Sequence, residues 1–87
     1  MNLSGENLDD DLVLTRLVAV RRMVRDGTAR RLRQDAGVSM EELARAVGVS
    51  KTCVLKWERG DRAPKGENGI RYFLVLTSLA ADLEAQK

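Results

Sequence analysis

Histidine is missing from this chain of 87 residues, and cysteine occurs once. Without imidazole there is no side chain that titrates near neutrality in its ordinary state, and one thiol cannot close a disulfide within the chain. A lone cysteine offers no ligand set for zinc, and the scattered carboxylates lack the spacing of a calcium loop, so neither a metal nor another cofactor is expected. The chain also has no paired acids at a plausible site and no glycine-rich phosphate loop, which argues against an enzyme. There is no charged-then-apolar leader and no apolar run approaching a membrane span. These absences predict a protein of a reducing cytoplasm, away from membranes and with no small-molecule ligand evident. Tryptophan, tyrosine and phenylalanine occur once each, so aliphatic side chains must fill the core.

The formal net charge is only +2, too small to indicate nucleic acid by itself. Its distribution says more. Glu6, Asp9, Asp10 and Asp11 stand at the start without a base. Arg16 to Arg33 then holds seven arginines against Asp26 alone, and Lys51 to Lys65 is basic again. No internal repeat, low-complexity tract or long linker divides the chain, so residues 1–87 are expected to form one domain with a modest core that often gains from dimerisation.

Every periodic segment is helical in spacing, which predicts an all-α fold, a compact bundle of about five helices. The first helix, 8–26, carries Val13, Leu17, Val20 and Val24 on one stripe with Leu14 and Val18 beside it. Its acids lie at its start and its arginines toward its end, as the helix dipole favours. Asp26 and Gly27 mark a break, or a kink in a continuous helix, with Thr28 as the next N-cap of a segment 28–65. Asn68 or Gly69 opens the last helix, 69–86.

Within 28–65 the stretch from Ser39 to Gly60, SMEELARAVGVSKTCVLKWERG, reads as two short helices joined by a tight turn. Ser39 and Glu42 form a capping box. Met40, Leu43, Ala44 and Val47 make a buried stripe. Gly48 ends the first helix, Val49 turns inward as a plug, and Ser50 caps the second. In that second helix Val54 and Trp57 point to the core, while Lys51, Thr52, Leu55, Lys56 and Arg59 share the opposite face. Lysine donates to guanine O6 and N7, and a threonine methyl or a leucine meets a thymine methyl, so this face suits a major groove. Leu55 stays open between such a contact and an ordinary exposed apolar residue. Cys53 reads as a small neutral residue, with thiol sensing as the other possibility.

These residues resemble the Xre/Cro-like helix-turn-helix family, with its lambda-repressor-like fold. The resemblance covers Ala29 to Pro64 and rests on Leu32 and Arg33 before AGVS, the ELA of Glu42 to Ala44, the VGVS of Val47 to Ser50, and the WERG of Trp57 to Gly60 with Pro64 after it. It implies that Lys51, Thr52 and Lys56 read base edges. It also implies a structural ion pair between Arg33 and Glu58, in which losing either charge would strand the other at a cost of about 3 kcal/mol or more. One departure is Met40, where many members carry a glutamine that bonds a DNA phosphate. A thioether cannot make that bond, so the amides at the helix start would have to supply it.

Arg59, Arg62 and Lys65, at and after the end of the second helix, are placed to meet DNA phosphates. Arg21, Arg22, Arg25, Arg30 and Arg31 extend the phosphate footprint if they lie on the DNA side, or else are solvated residues of amphipathic helices, and the solvated reading is preferred for most of them. The last helix is apolar nearly all round: Ile70, Phe73, Leu74 and Thr77 make one stripe, Leu76, Leu79 and Leu83 another. One stripe faces the core. The other is left for the N-terminal helix or for a second copy, and the resemblance favours a homodimer reading two half-sites. The expected function is a Cro/repressor-type regulator that occupies double-stranded operator DNA, an inverted repeat, in a bacterial or phage-infected cell. The competing expectation is an antitoxin or anti-repressor that uses the helix-turn-helix as a scaffold for a protein partner.

Overall fold

The computed structural model describes residues 5–86, with side chains from residue 10 onward. Across them the chain forms five helices and no strand: α1 (Gly5–Arg25), α2 (Thr28–Asp35), α3 (Met40–Val47), α4 (Lys51–Arg59) and α5 (Gly66–Ala85). The all-α fold follows from spacing, since every apolar stripe recurs at three and four residues. No helix among the described residues is long and apolar enough to cross a membrane.

The core gathers at least one side chain from each helix: Val20 and Val24 of α1, Ala29 of α2, Leu43, Ala44 and Val47 of α3, Val54 and Trp57 of α4, Tyr72 and Leu76 of α5. With so few aromatics, the one tryptophan and the one tyrosine are spent together. Their rings stack with centroids 4.5 Å apart and planes inclined by 21°, joining α4 to α5 by more than area alone.

Three local expectations are corrected. Thr28 is not the cap of α2. Gly27 occupies that place without a side-chain bond, and the Asp26 carboxylate accepts from the Thr28 amide at 2.9 Å. That bond holds the Asp26 carboxyl below its ordinary range. The acid one residue before the glycine thus does the work assigned to the hydroxyl after it. Second, α5 opens at Gly66, two residues before Asn68 and three before Gly69, with Lys65 as its N-cap residue and the Gly69 amide already bonded to the Lys65 carbonyl at 2.9 Å. Third, the stripe of α1 is buried only in part. Leu17, Val20 and Val24 are in the core, but Val13 is 44% exposed, and Leu14 and Val18 beside it are 57% and 40% exposed. A helix of 21 residues runs about 31 Å, which is longer than the core it serves.

The two stripes read in α5 are also redrawn. The line that faces the core is Gly69, Tyr72 and Leu76. Phe73 is half-buried against its edge, whereas Leu74 is 46% exposed. The other neighbour of α5 is α1, which packs along it.

Gly69 is where this packing is tightest. A Cβ there would lie 2.7 Å from Leu17 Cδ2 and 3.0 Å from the Pro64 carbonyl carbon. Absence of a side chain lets α1, α5 and the buried Pro64 loop meet.

Candidate nucleic-acid interface

The frame of the site is α3, a turn, and α4, and its bonds are local. Ser39 Oγ accepts from the Glu42 amide at 3.0 Å while Glu42 Oε1 accepts from the Ser39 amide at 3.0 Å, so both halves of the capping box are made. These bonds hold the Glu42 carboxyl below its usual value. At the other end Gly48 takes φ 90°, and the Ala44 carbonyl receives the amides of both Gly48 and Val49, at 2.8 and 3.0 Å. An L side chain is strained at that φ, and its Cβ would stand 3.1 Å from the Arg71 guanidinium. Ser50 Oγ then accepts from the Cys53 amide at 3.1 Å and starts α4. The turn fixes the angle between the two helices, and Val54 and Trp57 lock α4 down from beneath.

What remains outward on α4 is polar and basic. Lys51, Thr52, Lys56 and Arg59 are exposed, and Arg62 and Lys65 are exposed on the loop that follows. Lys51 Nζ lies 3.7 Å from Glu41 Oε1, with both side chains about 60% exposed. A pair so open to water contributes little and yields readily to another anion. Leu55 is half-buried. It lines a shallow cleft of about 310 Å³ with Met40, Glu58 and the arginines Arg30 and Arg59. Met40 itself leans on the core. Beside it the amides of Met40 and Glu41 have no acceptor within α3, because the Ser39 hydroxyl takes the Glu42 amide and the Ser39 carbonyl the Leu43 amide.

Arg33 holds this face in place from behind. Its Nε donates to Glu58 Oε2 at 2.6 Å, a terminal nitrogen donates to Glu58 Oε1 at 3.1 Å, and the third donates to the Val38 carbonyl at 3.0 Å. The two side chains are 11% and 3% exposed, and the Glu58 carboxylate raises the pKa of Arg33. This forked pair ties the end of α2 to the end of α4, so the tilt of α4 is set by α2 as well as by α3.

Two residues escape the sequence reading. Tyr72 is fully buried under Trp57. Its three-and-four spacing from Gly69 and Leu76 is a usable signal, but a phenol and a glycine do not register as apolar. Arg21 donates from Nε to the Pro64 carbonyl at 2.8 Å, across 43 residues. Nothing local announces that bond.

The family model described as helix-turn-helix matches residues 30–76, a span that begins within α2 and ends within α5. The chain belongs to the Xre/lambda-repressor-like helix-turn-helix family. That family is one of DNA-binding regulators. The matched span leaves out α1. Comparison with curated proteins and with solved structures gives no match.

Proposed function

We propose that this chain is a Cro/repressor-type protein that occupies operator DNA as a homodimer in a bacterial cell, with α4 in the major groove of each half-site. The observation that carries the reading is the outward face of α4 inside the family-matched span, where Lys51, Thr52 and Lys56 stand exposed on a helix capped at its entry and clamped at its exit. Lys51 at the entry and Lys56 in the last turn reach base edges, Thr52 offers a methyl and a hydroxyl, and the flank of Leu55 offers further apolar contact to a thymine methyl. Arg59, Arg62 and Lys65 meet phosphates and fix register. The free amides of Met40 and Glu41 at the start of α3 supply the phosphate contact that a glutamine would otherwise make. The exposed Leu14 and Val18, one turn apart on α1, support a second copy as partner.

Selection of duplexes from a random library, followed by salt titration of the best site, tests this reading. Enriched inverted repeats of constant spacing are expected, with affinity falling steeply as salt rises. Lys56→Ala should cost about 1–3 kcal/mol on the preferred site and relax discrimination at one or two base pairs, while Arg62→Ala weakens all sequences about equally. Equal losses from both substitutions contradict the assignment of roles. No enrichment at all favours the protein-partner function.

A further inference from the structure

α1 lies before the family-matched span, yet its second half is bound to the loop that follows α4. Arg21 Nε donates to the Pro64 carbonyl at 2.8 Å, Pro64 is fully buried, and Gly69 opens the space in which Leu17 meets the same loop. Around this junction is a cleft of about 180 Å³ with Val24 and Pro64 among its apolar walls and Arg21, Arg25 and Arg62 around them. No carboxylate lines it. Asp26 and Asp61 are close in sequence, but neither reaches the cleft, and Asp26 is occupied with the Thr28 amide. Among the described residues no ion pair is made by any of the three arginines.

Three arginines line one concavity with no carboxylate among its walls, an arrangement that favours an anion there. A phosphate oxygen cluster matches the forked donors of arginine better than a single carboxylate does. Arg21 is anchored by its Nε, so its terminal nitrogens are presented without the loss of freedom that a loose side chain would incur. The place of the cleft supplies the source of the phosphate. It begins at Gly60, the C-cap of α4. Nine residues of helix extend about 13 Å, and the major groove is about 12 Å wide. A helix that enters the groove by its N-terminal end therefore carries its C-terminal end to the rim, where the backbone runs.

We propose that Arg21 and Arg25 of α1 join Arg62 in a phosphate-binding cleft that takes a backbone phosphate of the bound duplex, so that the helix preceding the helix-turn-helix is part of the DNA-binding surface. This rests on the DNA-binding reading above and extends it to two residues that the sequence leaves open between solvent and the phosphate footprint. Arg25 is the side chain to test, because it is exposed and makes no described bond that holds the fold.

The experiment compares the full chain with its Arg25→Gln and Arg25→Lys variants in salt titrations on the selected duplex and on an unrelated one. The proposal predicts that Arg25→Gln weakens both duplexes by the same factor and lowers the slope of log K against log salt by about 1. Arg25→Lys keeps most of the slope, and the thermal midpoint without DNA is the same in all three. An unchanged slope in Arg25→Gln overturns the proposal. Inorganic phosphate titrated against the free chains then identifies the source: stabilisation of the wild type that Arg25→Gln loses, together with an unchanged slope on DNA, makes the cleft a site for a free anion instead. If the wild-type chain binds no duplex, the DNA reading itself has failed, and both the proposed duplex contact and its functional context fall with it. In that case the phosphate titration still decides whether the cleft holds an anion.

Discussion

Tyr72 shows at the scale of one residue how burial changes chemistry. The side chain is completely buried, stacked on Trp57, and its hydroxyl has no hydrogen-bond partner among the described residues. Burial pushes its pKa well above the ordinary 10.0, with the negative charge of Glu58 adding to the effect. An unfolded tyrosine releases its proton near 10.0 while the folded one holds it. The group therefore favours the fold equally at all lower pH and less and less as pH rises past that value. The chain has a single tyrosine, so tyrosinate absorbance reports this site alone. We expect no tyrosinate signal from the folded chain as pH passes 10.0, its appearance only together with unfolding, and a flatter alkaline stability profile in Tyr72→Phe. A folded chain that ionises with an ordinary midpoint contradicts the burial argument. Trp57 was legible as a core residue from its size and its spacing from Val54. Its partner was not, because a phenol counts as half polar until its surroundings are known.

At the scale of elements, helix ends were easier to read than helix faces. The capping box of α3, the left-handed Gly48 and the Ser50 cap follow from residues within four positions of one another, and the structure forms each of them. The N-cap of α2 lies one residue before Thr28, at Gly27, and it is the Asp26 carboxylate that takes a free amide at the helix start, an outcome set by the left-handed turn at Gly27. Faces depend on what lies opposite. In α5 the core line passes through Gly69, a residue read from sequence only as a helix opener. Gly69→Ala should gain about 1 kcal/mol of helix propensity and lose about 1–3 kcal/mol by overpacking against Leu17 and the Pro64 backbone. A net loss of about 1 kcal/mol in urea unfolding is the expected outcome, and a gain in stability would mean that α1 yields without cost. The same contact makes Gly69 a coupling point between α1 and the loop carrying Arg62.

At the scale of the molecule, the helix-turn-helix is held on two sides. Arg33 and Glu58 fasten α4 to α2, and α1 lies against α5, α2 and α4. α1 leaves Leu12, Val13, Leu14 and Val18 open to solvent at 40% to 57%. Isolated exposed leucines are ordinary, but four large apolar residues within two turns of helix are costly unless covered. On the proposed homodimer, sedimentation should give a concentration-dependent dimer, and Leu14→Glu should yield a monomer of unchanged helical content that binds a full operator much more weakly. A wild-type chain that stays monomeric at every concentration removes the dimer from the proposal while leaving single half-site binding intact.

Residues 39–60 determined their own structure because their caps, turn and alternating faces are made by bonds between near neighbours, whose geometry a sequence states directly. The exposed basic face of α4 follows from the same periodicity, and so does the all-α class. Only the tertiary structure decided which half of α1 is buried, that Tyr72 lies beneath Trp57, and that Arg21 reaches Pro64 across 43 residues. Those outcomes depend on how helices share a small core of fixed volume. One helix of 21 residues is longer than that core, a glycine decides how closely its neighbours approach, and no segment carries that information alone.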